Sequence, residues 1–240
     1  MQLKDKRNHC DHHCGNDVKK NRTCVSLVPI FNHLDENQMI EISKIIQSIQ
    51  YRKGEFLYRS GEQSDSLYIV RKGRVKNYRI SETGKEQILR ILYSGDFTGE
   101  LALFNESNHE SYAEAMEETQ VCSMKRADLH SLIERYPNIS FKFFSELSRR
   151  LEWLEKQITR FAGDKMDTRI ALFLAECVDD KNQSNEFVLP MSKKDLASYL
   201  GTTPETISRK MHEFETAGFI KQNILQKKIV ILDRKGLLEI

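Results

Sequence analysis

No apolar run in the 240 residues approaches the roughly 20 that a membrane-spanning helix needs. The opening MQLKDKRNHC carries charge but neither the apolar region nor the small-residue cleavage site of a secretory signal, so a cytoplasmic protein with no membrane partner is expected. Charge of one sign is also lacking: a formal net charge of +2 is too small to argue for nucleic acid, and a DNA-binding reading must rest on where charge is placed. Between residues 51 and 126 there is one histidine, His109, in the loop-like run NESNHES. Without a second imidazole a metal-dependent oxygen chemistry in that segment has no ligand triad, and no Ser-His-Asp grouping or phosphate loop is recognisable, so no enzyme is expected. The chain has no convincing internal repeat and no low-complexity tract, and its length suits two modest domains.

Cysteine is present in an odd number, at 10, 14, 24, 122 and 177, and a reducing cytosol disfavours a structural disulfide framework. The opening HCDHHCGNDVKKNRTC, residues 9–24, gathers three cysteines and three histidines in an arm otherwise made of charge and amide. Metal binding or redox sensing follows. Cys10 and Cys14 with His9, His12 or His13 make a mixed nitrogen and sulfur set of the kind that holds Zn²⁺. Cys177, in the apolar helix ALFLAEC, reads instead as a small buried hydrophobe.

Behind the arm, VPIFNHLDENQMIEISKII (28–46) has helical apolar spacing. From Tyr51 short β-branched and aromatic runs alternate with Gly-containing turns, SGEQ, RKGR, ETGK, YSGD and FTGE, and strand signals continue to about Arg126. That pattern is a small antiparallel barrel or jelly roll. DLHSLIERYP then starts a helix that Pro137 interrupts. Phe144, Leu147, Leu151, Leu154, Ile158 and Phe161 follow at spacings of three and four, a single narrow stripe along a long helix that Gly163 ends. The stripe either packs on its own barrel or pairs with its copy in a parallel homodimer; an a/d-like seam on a linking helix favours the dimer. MDTRIALFLAEC forms a further helix, and DDKNQSNE (179–186) is a polar surface loop.

The stretch 191–223 has helix-turn-helix grammar: Ser192 caps a short helix, Gly201 makes the turn, and Thr203 caps a second helix with Pro204 at its first position. On that helix Ile207, Met211 and Phe214 lie inward, while Glu205, Ser208 and Arg209 lie outward near its start, within reach of base edges. GFIKQNILQKKIVILD makes two short strands around a tip whose Lys227 and Lys228 suit phosphate contact. Residues 192–240 hold nine lysines and arginines against six acidic residues, an excess placed near expected backbone contacts that includes Lys193 and Lys194. An ordinary helical hairpin with a solvated face is the plain alternative; it would make the chain an effector-sensing adaptor that never touches DNA.

The stretches SLYIVRKGRVKNYRISETGKEQI, SGDFTGELALF and YLGTTPETISRKMHEFETAGFI, in this order, resemble the CRP/FNR family of bacterial transcription regulators over about residues 25–240. The resemblance implies an α+β chain: an arm at 1–24, a cyclic-nucleotide-binding-type β-barrel (jelly roll) at 25–136, a dimerisation helix at 137–163 and a winged helix-turn-helix domain at 164–240. It further implies a homodimer on an inverted-repeat operator, contacting RNA polymerase. In cyclic-nucleotide members a cassette runs from Gly-Glu-Leu to an Arg-Ser pair that takes the phosphate. Here it begins as Gly99, Glu100, Leu101 but carries Glu110 before Ser111, a carboxylate that repels phosphate, so cyclic AMP is not expected as the effector. SYAEAMEETQVC is similar to the strand of FNR-type oxygen sensors whose cysteine, matched by Cys122, joins three from the arm around a [4Fe–4S] cluster; Cys10, Cys14 and Cys24 would be the others. The arm's Cys-x₃-Cys-x₉-Cys spacing departs from the family's closely grouped ligands. A reversible Cys24–Cys122 disulfide, as in FNR-like proteins without a cluster, and the zinc site remain open beside it. Glu205, Ser208 and Arg209 match the FNR branch, which reads a TTGAT-like half-site.

Overall fold

A computed structural model describes residues 25, 28–101, 107–178, 185–223 and 228–240. The chain is mixed α+β and divides into two compact units, one running to Arg79 and resuming over Leu89–Leu147, the other comprising Ile80–Ile88 and Ser148–Ile240. Among the described residues no helix is long and apolar enough to cross a membrane.

In the first unit, residues 28–34 form successive turns, and helix α1 (Glu36–Ile45) starts only at Asp35. The Asp35 carboxylate accepts from the Gln38 amide while the Gln38 side chain accepts from the Asp35 amide, a reciprocal cap that fixes the helix start. Strand β1 (Gln47–Tyr51) precedes the expected onset of the sheet, since QSIQY is too polar to announce itself. Then come β2 (Phe56–Tyr58), β3 (Ser66–Lys72), β4 (Val75–Ile80), β5 (Glu86–Leu92), β6 (Phe97–Thr98), β7 (Tyr112–Ala115) and β8 (Thr119–Lys125). They form two four-stranded sheets, ordered β1-β8-β3-β6 and β2-β7-β4-β5. Helix α2 (Arg126–Arg135) follows, and Pro137 separates it from α3 (Asn138–Gly163), 26 residues long.

Strands β8 and β3 of the sheet β1-β8-β3-β6 are buried on both faces, and their two-residue period sorts side chains between two cores. Val70 and Val121 join Leu57, Tyr58, Val75, Leu92 and Ala113 between the sheets. Their neighbours Ile69, Cys122 and Met124 point the other way, into a helical core with Val25, Phe31, Ile42, Leu129, Ile139 and Phe143. Phe97 meets Phe143 edge to face at 5.4 Å, fixing the start of α3 on the sheet.

The second unit holds α4 (Met166–Glu176), β9 (Glu186–Val188), α5 (Lys193–Leu200), α6 (Pro204–Thr216), β10 (Ile220–Asn223), β11 (Lys228–Ile231) and α7 (Arg234–Leu238). Strands order as β10-β11-β9, so the expected two-stranded wing gains a third strand from the end of the polar loop. Three residues carry too little alternation to be seen beforehand. The short α7, also not expected, is capped by Asp233, whose carboxylate accepts from the Gly236 amide.

Among the described residues His109 is the imidazole that packs against the core between the sheets, through Tyr58. It is 9% exposed, stacks on Tyr58 at 3.7 Å between ring centroids, and its Nδ1 lies 3.2 Å from Ser64 Oγ. Burial pulls its pKa below the ordinary value, against opposing pulls from Glu62, Asp65 and Glu100. A lowered histidine pKa means that the folded state resists the proton more than the unfolded chain does. The contribution is therefore intact above the unfolded value of about 6.5 and is lost as pH falls through and below it. Urea midpoints should decline more steeply from pH 7 to 5 in the wild type than in His109→Phe, which keeps a ring against Tyr58 and removes the titration; parallel pH curves would contradict this.

Candidate nucleic-acid interface and redox site

Each turn of the reader is fixed by a side chain or a backbone need. Ser192 Oγ accepts from the Asp195 amide at 3.1 Å to open α5. Gly201 closes it with φ of 70°, a left-handed conformation that costs a residue with a Cβ. Thr203 Oγ1 then accepts from the Thr206 amide at 3.3 Å, with Pro204 in the first turn of α6. Ile207, Met211 and Phe214 are buried, which turns Glu205, Ser208 and Arg209 to the exposed side. Three polar groups thus share the face near the helix start, where a groove-reading helix presents them. The Glu205 carboxyl sits below the usual range, first because a backbone amide at the helix start stabilises its charge and then because Thr203 does.

The pattern of charges around that face was not evident beforehand. Arg209 Nη1 lies 3.0 Å from Glu213 Oε1, one helical turn on, so its guanidinium is already held by a carboxylate. Lys210 Nζ is 2.8 Å from both Asp167 Oδ2 and Glu213 Oε2, tying α6 to α4 and raising its own pKa, through Asp167 first. The signal was present as the i,i+3 and i,i+4 spacing of Arg209 and Lys210 to Glu213, although the Asp167 contact is long-range. Lys228 pairs with Glu186 of β9 at 2.6 Å, so this wing lysine is partly neutralised; Lys227 lies outside the described residues. Lys193 and Lys194 are exposed at the start of α5.

The stripe on α3 stands out from the fold. Phe144 is 63% exposed, Leu151 59%, Leu154 47%, Ile158 67% and Phe161 41%, with Leu147 half-buried. Phe141, 72% exposed one turn earlier, lies beside this stripe rather than on it, since the alternating spacing places the preceding member at Ser140. So much apolar surface on one helix marks an interaction face.

Of the four cysteines expected to bind metal, Cys10, Cys14 and Cys24 lie outside the described residues. Cys122 is described, fully buried in the helical core of the first unit, and disulfide-bonded. Cys177 is free, and burial pushes its thiol up to about 12, which makes it a poor nucleophile at neutral pH. Among the described residues no group of three His, Cys, Asp or Glu could hold a metal ion. Of the expected metal ligands, the described residues therefore contain Cys122 alone.

Comparison with known proteins adds to this geometry. Residues 48–136 match the model of the cyclic nucleotide-binding domain, and residues 168–240 that of the Crp-like helix-turn-helix domain. A Lacticaseibacillus casei protein named "Probable transcriptional regulator flp" is 32% identical over 87% of this chain and 94% of its own length. The "Fumarate and nitrate reduction regulatory protein" of Vibrio cholerae is 30% identical over 96% of this chain and 91% of its own. Among solved structures, FixK2 from Bradyrhizobium japonicum superposes with a TM-score of 0.70 at 28% identity, covering 81% of this chain and 96% of that one.

The cap geometry yields a direct test. Thr203→Ala removes the acceptor for the Thr206 amide and should lower stability by about 1 kcal/mol, read from urea unfolding of the full chain, while Thr203→Ser restores it.

Proposed function

The chain belongs to the CRP/FNR family of DNA-binding transcription regulators, and on that footing we propose a homodimer that binds an inverted repeat of FNR-like TTGAT half-sites and answers to oxygen or redox state through Cys122. Its working parts are the arm (1–24), the barrel (25–136), the seam helix (137–163) and the winged reader (164–240). Arg209 pairs with guanine, Glu205 accepts from cytosine N4 and Ser208 makes the short third contact, while Lys193, Lys194, Lys227 and Lys228 face phosphate. Two copies join through Phe144, Leu147, Leu151, Leu154, Ile158 and Phe161, and the assembled regulator contacts RNA polymerase.

The observation that carries the redox part is the position of Cys122. Its sulfur lies in one core with Val25, the residue after Cys24, and with Ile139 and Phe143 at the start of the seam helix. A change at the sulfur repacks the residues on which that helix is seated, which supports coupling from sulfur chemistry to dimer geometry. A thiol switch with Cys24 as the second sulfur is one reading, in keeping with a Cys122 that is disulfide-bonded and a Cys177 that is free. Two thiols give up two protons and two electrons to dioxygen or a peroxide and form one S–S bond; a reductant reverses the step. A [4Fe–4S] cluster on Cys10, Cys14, Cys24 and Cys122 is the second reading, favoured by three cysteines in one arm and by relatives named for fumarate and nitrate reduction. Zinc on the same arm is the third.

Anaerobic purification separates them. A colourless, metal-free protein that loses two hydrogens in mass on oxidation, reversibly, supports the switch; iron with acid-labile sulfide supports the cluster, and zinc alone the third reading. Cys122→Ser should bind operator equally in air and without it, whereas an oxygen response retained by this variant removes Cys122 from the sensor. Selection from random duplexes should return a TTGAT-like inverted repeat. Arg209→Ala should weaken that duplex by about 1–3 kcal/mol and relax preference at the guanine; an unrelated consensus, or unchanged discrimination, would overturn the assignment.

A further inference from the structure

The cassette that would take a cyclic phosphate is spanned by the protein's own side chains. Its two ends are Gly99-Glu100-Leu101 and Glu110-Ser111, and Thr98 immediately precedes the first. Tyr58 Oη lies 2.6 Å from Thr98 Oγ1. Asn77 Nδ2 donates to Tyr58 Oη at 2.8 Å and to Ser111 Oγ at 3.1 Å. With the phenol oxygen accepting from Asn77, its proton is left for Thr98. One hydrogen-bonded chain therefore runs Ser111, Asn77, Tyr58, Thr98, from one end of the cassette to the other. It also crosses the sandwich, because Tyr58 and Asn77 belong to the sheet β2-β7-β4-β5 and Thr98 to the sheet β1-β8-β3-β6.

We infer that Tyr58 is a built-in occupant of the barrel, a specificity-determining side chain that joins the two ends of the cassette in place of a ligand and thereby closes the site to cyclic nucleotides. Tyr58 is 4% exposed, Thr98 3% and Asn77 8%, so the chain is interior and each hydroxyl and amide in it depends on the others. The His109 ring is stacked on one side of the phenol and Tyr68 is tilted against it, with ring centroids 5.6 Å apart. Charge adds to the exclusion. Glu110 is paired with Arg79, and Glu100 Oε1 lies 4.0 Å from Arg90 Nη2, so each of these arginines already faces a carboxylate that an anionic ligand would have to displace. Gly99 is explained without a ligand as well: its φ is +84° and a Cβ there would lie 2.4 Å from the Ser66 carbonyl oxygen. The turn is kept by backbone approach.

The inference does not depend on the redox reading and is tested apart from it. Full-length protein titrated calorimetrically with 3′,5′-cyclic AMP and with cyclic GMP, up to millimolar nucleotide, should show no saturable heat, no change in melting temperature and no change in operator affinity. Tyr58→Phe deletes only the hydroxyl and strands Thr98 and Asn77; it should lower the melting temperature by about 3–8 °C. Asn77→Ala should do the same, and the double variant should melt close to either single one because both break one chain. Saturable binding of either nucleotide by the wild type overturns the inference. So does a Tyr58→Phe protein that melts with the wild type, or a double variant whose losses simply add.

Discussion

The alternation of strand β8 is the constraint from which the rest of the molecule follows. Successive residues of an extended strand face opposite ways, and with both faces of β8 buried there is no solvent side on which to leave an unsuitable group. Val121 is thereby committed to the sandwich interior and Cys122 to the helical layer. A slip of one residue would exchange them, putting a sulfur among the barrel side chains and a valine against Val25 and Phe143. The register is held on both sides, by Ser48 of β1 and Ile69 of β3 opposite Cys122. The two cores can consequently serve different ends. The inner one is spanned by a polar chain that needs no visitor; the outer one gathers Val25, the turns at 28–34, α1, α2 and the first turns of α3 around Cys122.

Seen this way, the reader is the more conventional half. Its helices are placed by caps whose chemistry is local, and its recognition face is whatever remains after Ile207, Met211 and Phe214 are buried. What is particular to this chain is the ionic network behind that face. Lys210 holds α6 to α4, and Glu213 is shared between Lys210 and Arg209. A substitution at Glu213 therefore alters both the seating of the helix and the placement of the Arg209 side chain.

The parts legible in the sequence were those written in short-range signals. Ser192, Gly201, Thr203 and Pro204 announce their roles through caps and a turn, and the stripe from Phe144 to Phe161 declares itself by spacing alone. Gly-containing turns revealed the barrel, although β1 was too polar and β9 too short to register. What escaped was long-range. Nothing near Tyr58 in the chain points to Asn77 or Thr98, which lie 19 and 40 residues away, and nothing in YAEA or QVCSM says which of Val121 and Cys122 faces which core. Lys228 looked like a free wing cation because Glu186 belonged to a loop with no apparent strand. The face of a strand and the partner of a charge are set by packing.

The depth of Cys122 also sets a tempo. A sulfur with no exposed surface meets no oxidant or reductant until the residues over it part. Reaction at that atom is paced by the breathing of the core rather than by the intrinsic speed of thiol chemistry. On the redox reading proposed above, a sulfur sealed in one core with Val25 and Phe143 answers to sustained rather than momentary exposure to oxidant.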